Sequence, residues 1–302
     1  MVAFEVLVID NGSTDATPEV AKRYRQRLPN LQYFFEPEPG LHVGRHKGML
    51  AAKGEILVFA DDDIEAFPTW LAAIQEGFAS PNVAMVGGNN LPMFLGPPPT
   101  WLLAMWERSS PVGIKSISAL SVIEFSSTQH HISPMQIWGC NFSIRSEVLR
   151  AAGGFHPDGM PKELIRFRGD GETHVSQYVA QSGMKCVFHP GASVHHKVTP
   201  ERMSFAYFRQ RGFNQGVSDS YTALRKAAGA SPKGVSMLRR TARWARAKLA
   251  ALNRHNDVNQ ALMQMKQGHA EGYAYHQNAY HSDTAVRNWV HQSKYFIEGP
   301  TP

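Results

Sequence analysis

Cysteine is nearly missing from this chain: Cys140 and Cys186 are the two in 302 residues. Two cysteines build no disulfide framework, so a reducing compartment is expected. Long apolar runs are missing too. No stretch approaches the roughly 18 to 20 residues that span a bilayer. The opening "MVAFEVLVIDNGSTD" has neither a basic region nor a small-residue cleavage site, so it does not read as a secretory leader. The expectation is a cytoplasmic protein. Acid is missing from one long segment, because residues 221–256 hold nine Lys/Arg and no Asp or Glu. The rest of the chain carries 22 of the 31 bases against all 25 acids, so the basic character belongs to that segment. With 43% hydrophobic and 19% charged residues, the remainder is ordinary globular composition and not disorder.

What is present is an alternation of strand and helix patterns. "FEVLVID" is β-branched and apolar and stops at the turn signal "NGSTD". "TPEVAKRYRQRL" has helical spacing behind Pro18. "LQYFFEP" predicts a strand, "GRHKGMLAAKG" a helix closed by Gly54, "EILVFA" a strand, "PTWLAAIQEGFAS" a helix and "VAMVGGNN" a strand. This order predicts an α/β fold with a mostly parallel sheet flanked by helices. Residues 91–136 are less regular and rich in Pro and Ser; they read as a loop bearing Trp101 and Trp106. "IWGCNFSIRSEVLRAAGGF", a helix around "DGETHVSQYVAQSG" and a strand "KCVFHP" follow. The pattern changes near Gly216, giving an α/β domain over 1–216 and a helical, basic C-terminal extension over 217–302, with Gly268, Gly272 and Gly299 as breaks.

The strand "EILVFA" delivers three consecutive carboxylates, Asp61, Asp62 and Asp63. Ligands of such sheets bind beyond the carboxyl ends of the strands. Like charges there repel one another, and a divalent cation relieves the repulsion. Carboxylate oxygens suit Mg²⁺ or Mn²⁺, which bind through one or two carboxylates plus substrate phosphates. A solvated acidic turn ahead of the Pro68 helix would have the same sequence.

Five blocks in order, over roughly residues 4–216, resemble a family 2 glycosyltransferase of the GT-A, Rossmann-like fold: "VLVIDNGSTDATPEV", "GLHVGRHKGMLAAKGEILVFADDD", "IWGCNFSIRSEVLRAAGGF", "GDGETHVSQYVAQSG" and "VHHKVTPERMS". The resemblance implies a nucleotide-diphosphate sugar donor, UDP-linked, a glycan or lipid-linked acceptor, Mn²⁺ or Mg²⁺, and inversion at the anomeric carbon. It implies that Asp61 contacts the ribose or metal-bound water, that Asp62 lies at the nucleotide sugar with it, and that Asp63, with Asp61, binds the metal. Asp10 and Asn11 would read the base, with Asn11 standing where an acid is usual. Arg45 would lie against the base or diphosphate. Trp138, Asn141 and Arg145 would line the sugar pocket. Counting back from Gly183 puts Glu172 at the general base, with Asp170 as the other candidate. His195 or His196 would complete the metal site; strand alternation turns them to opposite faces, so only one serves. Arg202, Arg209 and Arg211 are nearby bases for phosphate. The resemblance also implies a strand–turn–helix unit ahead of the first strand here, so a truncated or mis-assigned start is expected.

"SMLRRTARWARAKLAAL" (236–252) has an apolar stripe at helical spacing and a basic remainder. It reads either as a helix on an anionic membrane surface, at the inner face, or as a docked helix with a solvated face. Nucleic acid is not expected, since no zinc, RRM-like or helix-turn-helix signature accompanies the charge. Two rivals stand beside the transferase: a non-catalytic nucleotide- or sugar-binding protein, and a nucleotidyltransferase.

Overall fold

The apolar run ending in Asp10 forms β1 (Val6–Asp10), and β2 (Leu31–Phe35) lies parallel to it. Helix α1 (Thr17–Arg25), with proline in its first turn, connects them. These are the first elements of a computed structural model that describes residues 3–126, 130–229 and 257–297. Helix α2 (Leu41–Ala51) follows, then β3 (Ile56–Ala60), β4 (Ile64–Ala66), α3 (Trp70–Gly77), β5 (Val83–Gly87), β6 (Asn90–Phe94), α4 (Thr100–Trp106), β7 (Lys115–Ile117) and β8 (Val122–Glu124). The chain continues through β9 (Asn141–Arg145), α5 (Ser146–Ala151), α6 (Thr173–Ser182), β10 (Lys185–Phe188), β11 (Val194–Val198), α7 (Phe205–Gly229), α8 (Asp257–Ser282) and α9 (Thr284–Val290).

Among the described residues the strands fall into three sheets, with orders β1-β2, β10-β5-β9-β3 and β4-β11-β6-β8-β7. The α/β architecture is as expected, but the sheets are mixed. β1/β2 and β10/β5 are parallel, whereas β9 runs antiparallel to both β3 and β5. The third sheet has antiparallel pairs at β11/β4, β6/β8 and β7/β8. The reversal arises because residues 91–136, expected as a loop, carry β6, α4, β7 and β8 and return the chain the opposite way into β9.

Two compact units result, one of Met1–Met93, Ser109–Lys197 and Gln292–Pro302, the other of Phe94–Arg108 and Val198–His291. In the first, the core is built from Met85, Phe142, Ile144, Leu149, Phe155, Val175 and their neighbours. The expected boundary at Gly216 does not hold: α7 passes through it without interruption. Within the second unit Trp101 and Trp106 are buried on α4, where Trp101 packs on Phe205 and Phe208 of α7, so neither is a loop residue. Here too Arg209 pairs with Glu271, and Arg202 donates to the Tyr207 hydroxyl. The segment 236–252 and Gly299 lie outside the described residues.

Gly268 and Gly272 are not breaks. Helix α8 runs through both, and they meet the backbone of Arg209 and Phe213 on α7, as Gly212 and Gly216 of α7 meet that of Met265 and His269 on α8. A Cβ on Gly212 would stand 2.1 Å from the Met265 carbonyl oxygen, and on Gly268 2.0 Å from that of Arg209. Backbone meets backbone along this seam, and only hydrogen fits. Gly268→Ala or Gly216→Ala is therefore expected to cost about 3 kcal/mol or more by forcing the helices apart. Gly183→Ala, at φ +73° with open space around its Cβ, is expected to cost about 1 kcal/mol. Chemical denaturation of the variants checks the contrast.

Candidate active site

Helix α2 has an unusual inward face. Positions 42, 45, 46 and 49, spaced for one side of a helix, are His42, Arg45, His46 and Met49, all buried. The helix starts at Gly40 (φ +133°), whose N–H donates to Asn11 Oδ1 at 3.1 Å. Gly44 and Gly48 lie toward Ile9, where an added Cβ would stand 3.7 and 3.5 Å from its side chain, an ordinary contact. Arg45 is 8% exposed, and its Nη1 lies 3.3 Å from Glu172 Oε2 and its Nη2 3.6 Å from Asp61 Oδ1. Its guanidinium carbon sits 5.4 Å over the Phe155 ring. The end of the guanidinium passes against Gly139, where a Cβ would stand 2.1 Å from Nη2.

Glu172 precedes α6 and accepts a second bond, from the Gly139 N–H at 3.3 Å. An acid at a helix N-terminus also has the favourable end of the helix dipole. Asp170 is differently placed. Its Oδ1 is 2.6 Å from His156 Nδ1, its side chain is buried, and the His156 ring stacks on His174 at 3.8 Å. Of the two carboxylates proposed as base, Glu172 is the one beside Asp61, and Asp170 is closed within a histidine cluster.

Asp61–Asp63 occupy the turn that carries the chain from β3 in one sheet to β4 in the next. Asp61 and Asp63 are partly buried and Asp62 is exposed. Burial raises the Asp61 carboxyl above its usual range, with Arg45 opposing and Asp63 adding to the rise. The β11/β4 register pairs His196 with Ile64 and His195 with Glu65, and Lys197 N–H bonds the Asp63 carbonyl at 2.8 Å. His196 is thereby buried with Nε2 3.1 Å from Asp63 Oδ1. Its Nδ1 is buried without a hydrogen-bond partner. His195 points the other way, its ring 5.2 Å from Phe67, so the metal role expected of either histidine is open to His196 alone. Among the described residues no three His, Cys, Asp or Glu side chains gather closely enough to hold a metal by themselves. A carboxylate and an imidazole side by side fit a cation that completes its shell with water and phosphate oxygens.

Other expected ligand-binding residues are engaged inside the protein. Asp10 accepts from the Tyr33 hydroxyl at 2.6 Å and from Ser13 N–H at 2.8 Å. Asn11 Nδ2 donates to the Glu36 and Glu38 carbonyls, tying down the approach to α2. Asn141 is buried: it accepts from Trp70 Nε1 and donates to Asn90 and Ala192. Arg145, expected at a sugar pocket, instead binds the carbonyls of Phe78, Ser80 and Val83. Trp138 is half-buried against the core and donates to the Met135 carbonyl. Sequence reasoning missed Gly139, Phe155 and the buried histidines of α2. The signal was there, since a helix whose inward stripe is His-Arg-His-Met is not packing by hydrocarbon alone.

Residues 2–134 match the model of glycosyl transferase family 2. The matched segment is under half of the chain, and over it the chain is similar to this family. "Glycosyltransferase AglE" of Haloferax volcanii is 37% identical over 87 residues, 28% of this chain and 29% of its own length. "Glucosyl-dolichyl phosphate glucuronosyltransferase" of the same organism is 24% identical over 230 residues, 71% of this chain and 66% of its own. The chain thus spans less than two thirds of each of these family 2 relatives. Among solved structures, that of S. aureus TarS 1–349 with UDP-GlcNAc is 15% identical, covers 92% of this chain and 82% of its own, and superposes with a TM-score of 0.43. Among the described residues no helix is long and apolar enough to cross a membrane.

Three buried histidines set a pH limit on the fold. Burial pushes His42 and His276 down to about 4 and His46 to about 3, from an ordinary 6.5. The unfolded chain takes up these protons near pH 6.5, while the folded protein refuses them until pH 3 to 4. Stability is therefore full above pH 6.5 and is lost as pH falls from there, by about 1.4 kcal/mol per pH unit for each histidine. Urea denaturation at pH 7.5, 6 and 5 is expected to give a flat, then falling, midpoint.

Proposed function

We propose that this protein moves a sugar from a nucleotide-diphosphate donor, UDP-linked, onto a hydroxyl of a glycan or lipid-linked acceptor, with inversion. The observation that carries the reading is the Arg45 guanidinium lying between Asp61 and Glu172, which brings a donor-side carboxylate and an acceptor-side base to one spot. Glu172 takes the proton of the acceptor hydroxyl. The hydroxyl oxygen forms its bond to the anomeric carbon, and the bond from that carbon to the nucleoside diphosphate breaks on the opposite side. Asp63 and His196 would hold Mn²⁺ or Mg²⁺, with Asp61 beside them. The chemistry supplied by that cation is neutralisation of charge on the departing diphosphate. The match of residues 2–134 to the family 2 model supports transfer, and the name of the relative, a glucosyl-dolichyl phosphate glucuronosyltransferase, is in keeping with a lipid-linked acceptor. The basic segment 236–252 would then meet an anionic membrane surface. The GT-A reading rests on the family segment and the strand-end carboxylates.

A binding protein without turnover is the second reading, and one observation favours it: the Asp10 and Asn11 side chains, expected to read the base, are spent on internal bonds.

Two measurements separate the readings. Calorimetry with UDP is expected to detect binding that needs Mn²⁺ and disappears in Asp63→Ala; binding indifferent to metal and to this substitution contradicts the site. UDP release from a panel of UDP-sugars is expected to fall about 10² to 10⁴-fold in Glu172→Gln with UDP affinity kept. Equal turnover in Glu172→Gln removes it as base.

A further inference from the structure

The last described residues return to the first unit, and two of their rings pack on the neighbours of the Arg45–Glu172 pair. Phe296 lies 4.7 Å, ring to ring, from His46, the residue after Arg45 on α2. It also presses on the Gly153–Gly154 turn: a Cβ on Gly154 would meet the Phe296 ring at 2.7 Å and His46 Nε2 at 2.7 Å. Both glycines of the turn have positive φ, so the backbone itself is shaped for this approach. From the same turn Phe155 N–H donates to His46 Nε2 at 2.9 Å, and the Phe155 ring lies under the Arg45 guanidinium. Tyr295 is buried, with its ring 6.3 Å from His42, three residues before Arg45, and 5.5 Å from His156. His156 in turn holds Asp170, two residues before Glu172.

The dipeptide thus touches the helix that delivers Arg45, the turn that supports its guanidinium, and the histidine that anchors the approach to Glu172. We propose that Tyr295 and Phe296 are positioning residues, a C-terminal clamp that sets the distance between Arg45 and Glu172. The proposal rests on the reading of Glu172 as base for its effect on turnover, but not for its effect on geometry. Packing transmits the position because a filled interior has no slack to absorb a lost ring. The ring contacts described for both residues are with histidines and with the glycine turn, so their loss is expected to move turnover and leave donor affinity nearly intact.

The test uses the full chain with Phe296→Ala, Phe296→Tyr and, at the 90% exposed neighbour, Ile297→Ala. Phe296→Ala is expected to lower turnover of a UDP-sugar about 10- to 100-fold, as a misplaced catalytic geometry does. UDP affinity with Mn²⁺ is expected to stay within about twofold, since Asp63 and His196 are untouched. Phe296→Tyr is expected to restore turnover, and Ile297→Ala to leave it unchanged. If Phe296→Ala does not fold by circular dichroism, Phe296→Leu takes its place, with a smaller loss expected. The Arg45 side-chain N–H resonances give a readout independent of activity: they are expected to shift in Phe296→Ala as they do in Glu172→Gln. Unshifted resonances overturn the clamp. Shifted resonances in a protein that neither binds UDP nor turns over any UDP-sugar keep the clamp and refute the transferase reading.

Discussion

A guanidinium taken out of water has to be met by carboxylates, and the first unit is organised around that requirement. Arg45 enters the interior on α2 and finds Glu172 from the start of α6 and Asp61 from the end of β3. Removing either acid would leave a buried charge short of a partner, which costs more than the pair gains by forming. Three elements distant in sequence are therefore locked to one another. The lock is specific, because the Phe155 ring fills one side and Gly139 leaves no room for a side chain on the other.

The second constraint is register. A strand has two faces, and the β4/β11 pairing decides which histidine turns toward Asp63. A slip of one residue would bring His195 inward and send His196 to Phe67's side. The bond from Lys197 N–H to the Asp63 carbonyl pins that register at the turn itself. Electrostatics then follows from placement: Asp61 is raised by burial, and Cys140, buried beside the same acids, has its thiol pushed far above its ordinary value by burial and by Asp61 and Glu172. Cys140 is a packing residue and not a nucleophile.

Much of this was legible in the residues. β1, β3 and β5 follow from β-branched runs, and α6 from its pattern and its closing Gly183 at φ +73°. The acidic strand end and the either-or choice at His195 and His196 were legible as well, since both depend on local order along the chain. What depends on distant packing was not. The direction of β9 is set by the path through residues 91–136, and no local pattern reveals it. Gly268 and Gly272 were misjudged because helix propensity speaks against glycine, while the α7 backbone packed against them turns their lack of a side chain into the reason for contact. Asn141 and Arg145 have the chemistry of ligand contacts, and only the fold reveals that carbonyls and neighbouring side chains already occupy them.

The first unit is assembled from three separate stretches of chain, and the last of them, beginning at Gln292, is translated after the whole second unit. A nascent polypeptide therefore carries α2, β3 and α6 for a long interval before Tyr295 and Phe296 emerge to cover His42 and His46. By then α7 and α8 already have each other's glycine seam, and α4 its Trp101 contact with α7. Enclosure of the layer beside Arg45 is thus ordered by chain position, since it waits for a stretch made after α2, β3 and α6.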